Sequence, residues 1–125
     1  MQKEKKVPPP DIRERTLEFA VRIVKLAEAF PNSTASKIIA NQVIRSGTSV
    51  GANSQEALAG YSRGDFIYRT NIALREARET LYWLRVVERL KLLESKEIDS
   101  TIQEADEISR ILGAIVSKAR GKRKQ

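Results

Sequence analysis

Cysteine and histidine are both absent from this chain of 125 residues. Disulfides, thiolate nucleophiles and histidine-ligated metals are thereby excluded, together with Ser–His and Cys–His catalytic pairs. The Glu-x-x-His motif of diiron bundles is excluded by the same absence. Proline (4) and glycine (6) are scarce, which leaves little material for turns. No segment approaches the run of about 20 apolar residues that a membrane-spanning helix needs. Met1–Pro10 is charged with no apolar run behind it and does not read as a signal peptide. A cysteine-free chain with neither feature is expected in the cytoplasm, away from membranes.

What remains is a composition for helices. Hydrophobic residues make up 41% and charged residues 31%, which suits a single soluble domain long enough to bury a core. The net charge is +7, from 23 basic and 16 acidic side chains. Such a surplus favours polyanions through phosphate neutralisation and counterion release; it also fits a solvated surface with a basic tail.

Periodicity predicts four helices and no strand. Residues 1–10 form a flexible arm, with Pro8–Pro10 extended ahead of an Asp11 N-cap and a Glu14 that completes a capping box. The first helix runs from about Ile12 to Phe30, with Ile12, Phe19, Ile23, Ala27 and Phe30 in one stripe that Leu17, Ala20, Val21 and Val24 widen. Pro31 stops it, and Asn32 or Ser33 caps a second helix from Thr34 to about Ala59 with Ile39, Val43, Gly47 and Val50 inside. Gly60 is the expected terminator, and Ser62 caps a third helix over about Arg63–Lys91. Ser95 caps a fourth, to about Ala119, whose seam is Ile98, Ile102, Ala105, Leu112 and Ile115 and whose outer face is acidic through Glu97, Asp99, Glu104, Asp106 and Glu107. Short connections imply an all-α, antiparallel up-down-up-down four-helix bundle over residues 11–120, followed by a disordered basic tail at 121–125.

Two glycines, Gly47 and Gly51, lie inside the second helix, where each costs about 1 kcal/mol relative to alanine. A helix keeps them where a neighbour approaches its backbone closely. Arg45, Ser49, Asn53 and Glu56 share one face of the same helix. Arg45 and Glu56 are about 16 Å apart along the axis and need partners on other helices. With Arg69, Glu76 and Glu79 of the third helix, Arg45, Asn53 and Glu56 form an expected interhelix polar network.

On the third helix Asn71, Arg75, Arg78, Tyr82, Arg85 and Arg89 follow helical spacing and line one face. Guanidiniums with an aromatic among them suit RNA phosphates and unstacked bases. The competing reading is a solvated face stapled by Arg75–Glu79 and Arg85–Glu88 ion pairs. Trp83 falls between the inner line and this row, a position suited to a subunit contact. Glu76 and Glu79 could hold a magnesium ion, but neighbouring arginines compete for them, so no metal, cofactor or catalytic residue is expected.

The blocks Arg45-Ser46-Gly47-Thr48-Ser49-Val50-Gly51-Ala52-Asn53, Glu56-Ala57, Ser62, Asp65-Phe66, Ile72 to Thr80 and Tyr82-Trp83-Leu84 closely resemble the 23S rRNA intervening-sequence protein family of bacteria, also called the four-helix bundle protein family. The similarity covers about Ile12 to Lys91, with order and spacing intact. It implies an antiparallel bundle and a ring-like homo-oligomer, commonly a pentamer. A related bundle, the accessory protein of diversity-generating retroelements, binds nucleic acid and a reverse transcriptase. Arg45, Asn53 and Glu56 fall on the family's polar motif, and Arg75, Glu76, Glu79 and Trp83 on its second block, with no catalytic role implied. Ser54 stands where the family often has a bulkier residue, and the basic tail lies outside the shared pattern.

The combined expectation is a non-enzymatic homo-oligomer that binds RNA or a ribonucleoprotein. Arg75, Arg78, Tyr82, Arg85 and Arg89 are the expected contacts, assisted by Lys118, Arg120, Lys122, Arg123 and Lys124. The alternative is a scaffold for a protein partner, such as a reverse-transcriptase adaptor.

Overall fold

The computed structural model describes residues 11–59 and 62–124. Four helices make a bundle: α1 (Ile12–Glu28), α2 (Thr34–Ala57), α3 (Arg63–Leu90) and α4 (Ser95–Lys124). Among the described residues there is no strand. The proposed arm at 1–10, the Gly60 terminator and the side chains of Lys122, Arg123 and Lys124 lie outside what the structure describes.

Local chemistry starts three of these helices. Asp11, Ser33 and Ser62 each turn a side-chain oxygen to a first-turn amide, from Arg13 at 2.9 Å, Ser36 at 3.1 Å and Asp65 at 3.0 Å. At Asp11 the capping box with Glu14 is not used. Its carboxylate takes the Arg13 guanidinium as well as the Arg13 amide, and these bonds hold its pKa below the ordinary 3.8. α4 runs on through Lys124, where the sequence suggests a disordered tail from residue 121. Lysine and arginine are good helix formers, and cations near a helix C-terminus complement its dipole.

The core lies along the bundle axis, with Phe19 and Ile23 of α1, Val43 and Val50 of α2, Leu84 and Val87 of α3, and Ile98, Ile108 and Leu112 of α4 all buried. Leu17 and Val21, expected to widen the buried stripe of α1, are 51% and 44% exposed. Thr16 is buried in their stead, because α2 approaches from that side. A Cβ added to Gly51 would sit 3.2 Å from the Thr16 carbonyl oxygen, and one added to Gly47 would sit 2.8 Å from Ile23 Cγ2. The contacts descend along α2 as they ascend along α1, so these two helices run antiparallel.

The α1–α4 seam is polar. The Arg15 guanidinium donates to both carboxylate oxygens of Glu104, at 2.8 and 2.9 Å, and to Glu107 at 2.5 Å. These bonds, led by those to Glu104, raise the Arg15 pKa further. Arg22 donates to Thr101 Oγ1 at 3.1 Å and to Ser100 Oγ at 2.5 Å. Glu104 and Glu107, expected on the outer face of α4, are thus joined to α1.

Ser54 is buried, its hydroxyl has no hydrogen-bond partner, and it borders an apolar void of about 40 Å³ with Phe66 and Leu112. Desolvating an unpaired hydroxyl costs about 1–3 kcal/mol. Ser54→Ala is therefore expected to raise the urea midpoint, by about 1 kcal/mol of stability.

At Gly47 the sign of a substitution depends on Ile23. Gly47→Ala gains about 1 kcal/mol of helix propensity but overpacks a buried contact at about 1–3 kcal/mol. It is expected to destabilise the natural protein. In an Ile23→Ala background the two nearest atoms, Cγ2 and Cγ1, are gone. There Gly47→Ala is expected to stabilise, which urea denaturation of the double-mutant cycle measures.

Candidate functional site

α2 and α3 are registered by a buried polar pair. The Thr80 hydroxyl donates to Ser46 Oγ at 2.9 Å, its single proton shared with the Glu76 carbonyl of its own helix at 2.7 Å, and the Ser46 hydroxyl donates to the Gln42 carbonyl one turn back at 2.9 Å. Beside this pair Arg45 reaches across to Glu76, at 3.3 Å, and to Glu79. Glu79 also accepts the Trp83 indole N–H at 3.0 Å. The expected Arg45–Glu76–Glu79 part of the polar network is therefore formed, with Trp83 and Gln42 as further members.

Three expected members stand apart from it. Asn53 donates to the Ser49 carbonyl of its own helix at 2.9 Å, which satisfies a half-buried amide without a second helix. Glu56 is exposed and solvated, with no ion pair among the described residues. Arg69 lies 3.6 Å from Asp65, one turn back on α3, and is held there rather than by α2.

The arginine row on α3 is exposed, as are Arg75, Arg78, Arg85 and Arg89 individually, and Tyr82 is 60% exposed. Of the two intrahelical staples that compete with a ligand-binding reading, only Arg85–Glu88 forms, at 3.8 Å. Arg75–Glu79 does not form. Glu79 is occupied by Arg45 and Trp83, so the acid one turn beyond Arg75 is withdrawn from it. Arg75, Arg78 and Arg89 have no acidic partner among the described residues. Tyr82 stands edge-on to Trp83, with centroids 5.1 Å apart and planes at 73°.

The C-terminal cations separate. Arg120 lines a groove of about 490 Å³ between α3 and α4 that Asn71 and Arg78 also border. Lys118 lies instead on another depression, with Arg63 and Phe66. The structure thus places Arg78 of α3 and Arg120 of α4 on one groove and Lys118 elsewhere. Sequence reasoning missed the Arg15–Glu104 pair and the Glu79–Trp83 bond. The second was available as an i,i+4 spacing on one helix. The first depends on which helices are neighbours, and no local pattern carries that.

No helix among the described residues is long and apolar enough to cross a membrane. No group of three or more potential metal-ligating side chains occurs among them either.

Removing the Glu79 charge tests the network. Glu79→Gln keeps the size but weakens the bonds to Arg45 and Trp83. Because Arg45 is half-exposed, the loss of stability is expected to be small, about 1 kcal/mol or less. The emission of Trp83, the single tryptophan, is expected to shift.

The family model of the 23S rRNA-intervening sequence protein matches residues 10–114. Among solved structures, the chain is similar to a protein of unknown function from the S23 ribosomal protein family of Bacteroides thetaiotaomicron. The two are 40% identical with a TM-score of 0.79, over 85% of this chain and 98% of that one. No curated protein matches.

Proposed function

The chain belongs to the 23S rRNA-intervening sequence protein family, and from that premise we propose that it is a non-enzymatic, homo-oligomeric bundle protein that binds RNA or a ribonucleoprotein through the basic face of α3. The observation that carries this reading is the row of exposed arginines on α3, of which Arg75, Arg78 and Arg89 have no acid partner among the described residues. Guanidiniums left free in this way are available for bidentate bonds to phosphate. The lack of histidine and cysteine supports a binding role over catalysis. No cofactor is invoked. Self-association belongs to this reading, with a pentamer as the state that the family resemblance implies.

The resemblance implies a second reading, a scaffold or adaptor for a protein such as a reverse transcriptase. A complex that survives nuclease and high salt is expected under that reading.

The RNA reading makes a graded prediction. With about four phosphate contacts, RNA affinity is expected to fall roughly 100-fold between 50 and 200 mM salt. Arg78→Glu with Arg85→Glu is expected to weaken RNA binding at least tenfold, with the helical circular-dichroism signal unchanged. Affinity indifferent to salt, or unaltered in the double variant, removes the arginine row as the contact. Light scattering with and without nuclease reports subunit number and bound nucleic acid together.

A further inference from the structure

Gly113 stands in the middle of α4, where glycine costs about 1 kcal/mol relative to alanine. Packing does not explain it. A Cβ built there meets nothing within 4 Å, in contrast to the crowded Gly47 and Gly51. Gly113 opens instead onto the groove of about 490 Å³ between α3 and α4. A helix that carries a bare backbone position beside open space leaves room for a ligand to approach the main chain.

The walls of the groove state which ligand. Arg78 comes from α3 and Arg120 from α4, Asn71 and Ser117 add neutral hydrogen-bonding groups, and among the described residues no carboxylate lines the groove. The depression between α1 and α4, by comparison, is lined by Glu18 and Glu97 as well as by Arg22 and Lys25. Two guanidiniums with no competing acid favour a phosphate. Tyr82 lies four residues beyond Arg78 on the same face, about 6 Å along the axis. Its ring is 60% exposed and steadied edge-on by Trp83, whose indole is bonded to Glu79. An aromatic surface one turn from a phosphate seat is spaced for the base of the same nucleotide.

Resting on the RNA-binding reading above, we infer that the α3–α4 groove seats the phosphate of one unpaired nucleotide. Arg78 and Arg120 take its oxygens, Gly113 leaves space for its approach, and its base stacks on Tyr82. A duplex cannot occupy the site in this way, since its bases are already stacked and paired. The site is therefore a reader of loops and single strands rather than of continuous helices.

The test uses three probes with the full-length protein at 50 mM salt: a ten-nucleotide oligoadenylate, a strand of equal length lacking its bases, and a ten-base-pair RNA duplex. Oligoadenylate is expected to bind more tightly than the duplex. Gly113→Ala is expected to raise the melting temperature while weakening oligoadenylate at least fivefold, a combination that a purely structural glycine does not produce. Arg120→Gln is expected to weaken oligoadenylate and the base-free strand alike. Tyr82→Ala is expected to weaken oligoadenylate alone, by about 5- to 150-fold, and Tyr82→Phe to leave it nearly unchanged. Oligoadenylate binding that is indifferent to Gly113→Ala, or equal affinity for oligoadenylate and duplex, overturns the nucleotide seat. If salt-sensitive duplex binding persists in that case, the broader RNA reading stands without it. Loss of all salt-sensitive binding to every probe, with an acidic peptide bound in its place, removes both.

Discussion

The close approach of α1 to α2 at Gly47 and Gly51 is the constraint on which the rest of the structure depends. With the Thr16 carbonyl 3.2 Å and Ile23 Cγ2 2.8 Å from where side-chain carbons would stand, α2 has little freedom to rotate about its axis. Cores at native density do not deform smoothly, so a rotation here would have to displace Ile23 or the α1 backbone. Its orientation toward α1 therefore also sets what it shows to α3. Ser46, next to Gly47 in sequence, meets Thr80, and Arg45 emerges at the edge of the same interface beside Glu76 and Glu79.

This geometry decides the charge pattern of the opposite face. Glu79 has two calls on its carboxylate, from α2 through Arg45 and from its own helix through Trp83. Arg75, a turn earlier on α3, is left without it. An exposed ion pair between Arg75 and Glu79 would contribute only a few tenths of a kcal/mol, so the interhelix arrangement wins at little cost in stability. What it changes is availability. Cations that do not neutralise their own helix retain their full field toward an approaching polyanion. The polar α1–α4 seam works in the opposite sense, since Arg15 is consumed by Glu104 and Glu107 and adds nothing to the basic surface. Of the two ends of the bundle's charge distribution, one is tied up in holding helices together and the other is left open.

Much of this was legible from local pattern. Helix number, the caps at Asp11, Ser33 and Ser62, and the inward positions of Phe19, Val43, Leu84 and Ile98 follow from spacing and side-chain type. Gly47 and Gly51 announced a close contact without naming its partner. The polar network was half legible. Arg45 with Glu76 and Glu79 could be anticipated from the absence of an acid within one turn of a large cation on its own helix. Asn53 and Arg69 could not be placed, because each has a polar group of its own helix within reach one turn back, and sequence does not reveal whether a polar side chain turns locally or reaches across. Leu17 and Val21 misled for a related reason. An apolar stripe wider than one neighbour can cover reads the same whether a second neighbour exists or not.

Sequence alone determined that the chain is helical, where its helices start, and that one face of the third carries a row of arginines with a tyrosine among them. Those properties depend on residues within a few turns of one another. Tertiary structure alone decided which arginines stay free, that Arg78 and Arg120 border one groove, and that Gly113 opens into it while Gly47 and Gly51 are filled by α1. Each of these depends on which surfaces of distant segments come within a few ångströms, and that is set by how all four helices jointly fill the core.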